Sequence, residues 1–317
     1  MDSIEKCVTY SDSIIDQLRE KLTSILGETK SICILTTGSF ARKDASEESD
    51  LDCYIIDTNS NKDSLTKEMK ESINSTIDDL IKKNSGDTHT FGSDVFITPE
   101  ELMKNIGGKD DNNATLTRRM LFLLEGEWLY NKELFHECRE KLIETYIKPT
   151  VSDHQLSRFL LNDIIRYYRT ITTDFQHKVS EAGKDYGVRS IKLIFSRKLL
   201  YFGGIITVAQ TAQQTRNDKV KNTLDLFNLT PVDRIKTICG TEASSKSLKL
   251  YDYFLENISK KEVREELDKT KEEDPLYSRP EKYREMKNQS KHFSWALASL
   301  LKQTFDEAHP IHHALVF

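Results

Sequence analysis

Ten residues separate the pair Gly38-Ser39 from Asp50, and Asp50 and Asp52 flank a single leucine. An apolar run, Ile32 to Leu35, leads into the Gly-Ser pair and reads as a buried strand that ends in a tight turn. The aspartates open a second apolar run that continues through Cys53, Tyr54, Ile55 and Ile56. Strand side chains alternate between faces, so Asp50 and Asp52 share one face while Leu51 and Cys53 point into a core. Two carboxylates that close together repel unless a cation lies between them, and their hard oxygens suit Mg²⁺. Glycine lets backbone approach a ligand where a Cβ would intrude. Turn amides, amides at the start of a helix running from Phe40, and the Ser39 hydroxyl are donors for phosphate oxygens. A phosphate cradle joined by one short segment to a metal-binding carboxylate pair makes a nucleoside triphosphate site.

The stretch Gly38-Ser39-Phe40-Ala41-Arg42, followed by Ser49-Asp50-Leu51-Asp52, resembles the signature of the DNA polymerase β-like nucleotidyltransferase superfamily. It looks most like the bacterial stand-alone and regulatory members, among them the PII uridylyltransferase group and the small adenylyltransferases of toxin–antitoxin pairs. The resemblance covers roughly residues 10–135. It implies an α/β nucleotidyltransferase domain with a small mixed sheet flanked by helices.

The resemblance also implies a chemistry. Mg²⁺, with Mn²⁺ as a substitute, would be held by Asp50, Asp52 and a third carboxylate on a neighbouring strand, for which Asp94 is the candidate. An acceptor hydroxyl would attack the α-phosphorus of a bound NTP, and pyrophosphate would leave. Gly38 and Ser39 would contact the nucleotide. Arg42 and Lys43 either help hold the triphosphate or are solvated charges on a helix. A helical second domain in this superfamily closes over the nucleotide, and Lys192 and Arg197 are the basic residues expected to reach it. The acceptor expected first is a protein hydroxyl, ahead of an RNA end or a small molecule. A cyclic-oligonucleotide synthase of the anti-phage type and a nucleotide-sensing module without catalysis are the alternatives.

The elements that must position these residues are legible in the periodicity. Ile14, Ile15, Leu18, Leu22, Ile25 and Leu26 define a helix before the first strand, and Leu65 to Ile81 a second helix over 62–83. Thr88 to Ile97 reads as a third strand, closed by Pro99 at the start of a short helix with Glu100 and Glu101 near its cap. After about residue 113 the chain reads as helical throughout, with Glu125 to Asn131 as a closing helix and turn. Pro149 places a boundary near 150, giving a catalytic domain over 1–150 and an all-α bundle over 151–317. Helices are expected near 222–239, 244–258, 260–271 and 280–305.

Composition narrows the field further. A net charge of −5 gives no reason to expect a large nucleic-acid footprint. The five cysteines are scattered and odd in number, which reads as reduced core residues and not a disulfide framework or zinc site. No basic-then-apolar leader opens the sequence, and the most apolar stretch, Leu199 to Ala209, is too short for a membrane span, so the cytoplasm is the expected compartment. His309, His312 and His313 lack a zinc spacing and read as a surface tail. Arg284 and His292 stand too far apart for the Arg–His motif of the HEPN ribonucleases.

Overall fold

The computed structural model describes residues 2–82, 95–180 and 185–316. The chain divides into two compact units, Ser3–Lys148 and Pro149–Phe317. Among the described residues no helix is long and apolar enough to cross a membrane.

The first unit is an α/β domain built on a small mixed sheet. Its elements run α1 (Ser3–Leu26), β1 (Ile32–Thr37), α2 (Gly38–Arg42), β2 (Asp52–Asp57), α3 (Lys67–Leu80), β3 (Phe96–Ile97), α4 (Pro99–Met103), α5 (Asn113–Leu124), β4 (Glu127–Tyr130) and α6 (Lys132–Tyr146). The sheet order is β3-β2-β1-β4. β1 is antiparallel to both β2 and β4, and β2 is parallel to β3. Alternation along β1 and β2 sorts the core. Ile32, Ile34, Leu51, Cys53 and Ile55 pack with Ile15, Leu18 and Leu22 of α1 and Ile73 of α3 on one face. Cys33, Leu35, Tyr54 and Ile56 are buried on the other, where α6 packs on β1 and the Tyr54 hydroxyl donates to the Arg118 carbonyl of α5.

Several elements depart from the sequence reading. α1 begins at Ser3, well before the apolar spacing that starts at Ile14, because Cys7 and Ser11 continue its buried stripe. The helix expected over 62–83 is confined to Lys67–Leu80, capped by the Thr66 hydroxyl. Thr98 and Glu101 form a reciprocal capping box at α4. Glu127 to Tyr130 is a strand and not part of a helix and turn. It pairs with β1 through Trp128↔Leu35 and Tyr130↔Ile34, and four residues are too few to show a period.

The second unit is helical: α7 (Arg158–Ser180), α8 (Tyr186–Lys192), a π-helical turn (Leu193–Arg197), α9 (Lys198–Gln210), α10 (Arg216–Phe227), α11 (Pro231–Cys239), α12 (Thr241–Ile258), α13 (Lys261–Asp268), α14 (Glu281–Thr304) and α15 (Pro310–Ala314). The single helix expected over 222–239 is two, divided where Thr230 caps α11 and Pro231 takes its first turn. The C-terminal histidines lie at the surface, as expected, but on an ordered element and not a tail: His309 caps α15, and His312 and His313 lie within it. Ile311 of α15 is fully buried. Phe195 stacks between Phe254 and Phe293, centring the core of this unit. Gly187 lets α8 approach α13, since a Cβ there would lie 1.9 Å from the Leu267 carbonyl oxygen.

Candidate active site

The two halves of the Gly-Ser…Asp-x-Asp pattern meet because β1 and β2 are antiparallel neighbours. Thr37, the last residue of β1, is the register partner of Asp52, the first of β2. Gly38 follows at φ +73°, in the left-handed region, and a Cβ on it would stand 2.7 Å from Asp52 Oδ2. Both facts penalise a larger residue: the backbone conformation is costly for an L side chain, and a Cβ would force the Asp52 carboxylate to move. Leu51 is 2% exposed and anchors the segment, leaving Asp50 and Asp52 half-buried on either side of it. The Asp50 side chain forms no hydrogen bond or ion pair with another described residue.

Turn donors divide into two groups. Gly38 N–H donates to Glu125 Oε1 at 2.7 Å, so a buried carboxylate of the protein takes the amide that the sequence offers to phosphate. α2 is a single turn, and its Ser39 and Phe40 amides have no intrahelical partner. Thr37 stands at the cap position without capping, and its buried Oγ1 has no hydrogen-bond partner. As the register partner of Asp52, Thr37 presents this hydroxyl on the same sheet face as the carboxylate.

Arg42 is buried and not a solvated charge. Its side chain is 7% exposed, with Nε and Nη2 donating to Asp44 at 2.9 and 3.1 Å and Nη1 to Glu125 Oε2 at 2.6 Å. The guanidinium thereby offsets two buried carboxylates. Lys43 pairs with Asp12 of α1 at 2.8 Å. Glu125 is the residue against this turn that the sequence reading did not single out. One carboxylate fixes both the Gly38 backbone and the Arg42 side chain, and no local motif marks it.

A second layer holds Glu125 in place. Arg139 of α6 is fully buried and donates to the carbonyls of Phe122 and Gly126 at 2.7 and 2.6 Å, clamping the turn between α5 and β4. Burial pushes its guanidinium down to about 10. Gly126 is required there, because a Cβ would lie 2.6 Å from the Phe122 carbonyl oxygen and 3.1 Å from Arg139 Nη2.

Asp94, the expected third carboxylate, lies outside the described residues. β3 begins at Phe96, beside Ile55, three residues into β2 from Asp52. Among the described residues no group of three or more His, Cys, Asp or Glu side chains is arranged to hold a metal. Asp50 and Asp52 nevertheless fit a hard divalent cation by their oxygen donors, by the unpartnered state of Asp50, and by the close approach that a glycine at 38 permits.

Lys192 and Arg197 belong to the second unit, where they end α8 and the π-helical turn respectively. Tyr168 and Tyr201 stack on each other at 4.4 Å and 12°, and Tyr167 is fully buried. No family model and no curated protein matches this chain.

Proposed function

We propose that this chain is a Mg²⁺-dependent nucleotidyltransferase with a polymerase β-like catalytic domain. It transfers a nucleoside monophosphate from an NTP to an acceptor hydroxyl, with a protein as the acceptor. The observation that carries the reading is the approach of Gly38 to Asp52. A left-handed glycine pressed against the first aspartate of the neighbouring strand brings a phosphate turn and a carboxylate pair into one site.

In this reading Asp50 and Asp52 hold the metal, with Asp94 as the third carboxylate. Bound magnesium supplies charge neutralisation of the triphosphate and a more acidic acceptor hydroxyl. The Ser39 and Phe40 amides and the Ser39 hydroxyl orient phosphate oxygens, while Glu125 and Arg42 keep the turn rigid. The acceptor oxygen forms its bond to the α-phosphorus as the bond to the β-phosphate oxygen breaks. The hydroxyl proton passes to a carboxylate of the set, and pyrophosphate departs.

One observation favours a second reading, a nucleotide-sensing module without transfer. Glu125 takes the Gly38 amide and Arg42 is sequestered, so two groups expected to serve the phosphates serve the fold. Incubation with Mg²⁺ and each α-³²P NTP, with and without host lysate, separates the readings. Label on protein supports the proposal, label on RNA or in a cyclic product replaces the acceptor, and nucleotide binding without transfer supports the sensor.

A further inference from the structure

A second polar site lies wholly within the helical unit. On α14, Tyr283, Lys287, Ser290, Lys291 and Ser294 recur at helical spacing and share one face. Two contacts fix what that face meets. Tyr283 Oη lies 3.2 Å from Ser190 Oγ of α8, and Lys198 Nζ of α9 donates to Ser294 Oγ at 2.6 Å. Lys287 stands between these contacts, on the seam between α14 and the rod formed by α8, the π-helical turn and α9. At one end of the seam Arg279 donates from Nη1 to the hydroxyls of Tyr186 and Tyr283 at 3.2 and 3.1 Å and lies over both rings.

Among the described residues this seam gathers cations without paired acids. Lys198 and Lys287 are half-buried, Lys291 is exposed, and none of these lysines, nor Arg279, forms an ion pair with a carboxylate among the described residues. Burial, and then the positive charge of Lys287, hold the Lys198 ammonium below its usual range. Burial also lowers Lys287, with Arg279 and Lys291 adding to the effect against an opposing Tyr186. Half-burying neighbouring ammonium groups without a counter-charge is costly, and an anion seated between them relieves both desolvation and repulsion. The π-helical turn between Ser190 and Lys198 is a local irregularity of the sort that recurs at functional sites.

We propose that this seam binds a small phosphate-bearing anion, with Lys198 and Lys287 as its ligands, Lys291 at the rim, and Arg279, whose Nε and Nη2 donate to the Asp274 and Glu272 carbonyls, holding the tyrosine end of the seam. The inference uses neither Asp50 nor Asp52 and stands apart from the transfer reaction. Its chemistry suits a free polyphosphate or the phosphate chain of a nucleotide.

Titration calorimetry on the full chain without divalent metal tests it, using tripolyphosphate, ATP and adenosine as probes. Tripolyphosphate should bind wild type and Asp50→Asn/Asp52→Asn alike, and adenosine should not bind through the seam. Lys198→Met and Lys287→Met should each weaken tripolyphosphate by about tenfold or more, with Lys287→Arg restoring most of it. Exposed Lys291→Ser provides a variant without a folding risk and should weaken binding less. ATP and tripolyphosphate binding equally would assign recognition to the phosphate chain alone, whereas tighter ATP binding that still needs Lys287 would make a nucleotide the source. The proposal is overturned if wild type does not bind tripolyphosphate, if the folded lysine variants bind it as wild type does, or if binding vanishes in the aspartate variant.

Discussion

Replacing Gly38 by alanine tests the geometry of the candidate active site at its tightest point. Alanine must adopt φ +73° and place a Cβ 2.7 Å from Asp52 Oδ2. The backbone strain alone costs ~1–2 kcal/mol. Restoring ordinary contact requires the carboxylate to retreat by about 0.7 Å. Gly27→Ala is the matched control, since Gly27 is also left-handed, at φ +57°, but a Cβ there meets nothing within 4 Å. Both variants should therefore lower the melting midpoint by a few degrees, at about 2–4 °C per kcal/mol. Only Gly38→Ala moves a reacting group, and a displacement approaching 1 Å costs on the order of 10²-fold in rate. Label transfer from α-³²P NTP, measured beside circular-dichroism melts, reads both effects. Equal activity in the two alanine variants would refute the reasoning, because Asp52 would then tolerate the intrusion that the geometry forbids.

Arg42→Met leaves the Asp44 and Glu125 carboxylates buried without their cation, and urea unfolding should show a loss of roughly 3–5 kcal/mol; near-wild-type stability would mean that the guanidinium is dispensable. Thr37→Val removes a buried hydroxyl without a partner and should preserve stability or raise it by ~1 kcal/mol, while weakening nucleotide binding. A fall in the melting midpoint would show that the hydroxyl is bonded within the fold. Burial, then the charges of Arg139 and Lys132, hold His136 below its ordinary value of 6.5. The unfolded chain therefore binds more protons in the window below that value, so stability falls as pH drops through about 6.5 towards the lower folded pKa. His136→Gln should flatten that part of a melting-versus-pH curve, and an unchanged slope would assign it to other groups.

The parts of the fold with long periods were legible. α1 and the two central strands announce themselves through apolar spacing, and the Gly-Ser…Asp-x-Asp pattern pointed to a place where the antiparallel pairing of β1 and β2 unites its halves. Short or long-range features were not. β4 is four residues long, too short for alternation to outweigh its helical neighbours. The break between α10 and α11 was readable from Thr230-Pro231 but was overridden by apolar residues on either side. Arg42 looked like a surface charge because Glu125, the more distant of its two carboxylate partners, lies on a segment that only tertiary structure brings to it. Glu125 carries no motif, and its role follows from the Arg139 clamp on the turn that holds it. The basic seam along α14 was equally hidden, since the basic residues flagged on α8 and the π-helical turn gave no hint of Lys287.

The central claim is transfer at the Gly38–Asp52 site, and the most direct measurement compares purified wild type with Asp50→Asn/Asp52→Asn. Each is supplied with Mg²⁺, an α-³²P NTP and host lysate as the source of acceptor. The account predicts covalently bound label with wild type only, abolished by chelating the metal. Label of equal intensity from the double variant, or none from wild type with any of the four nucleotides, would contradict it.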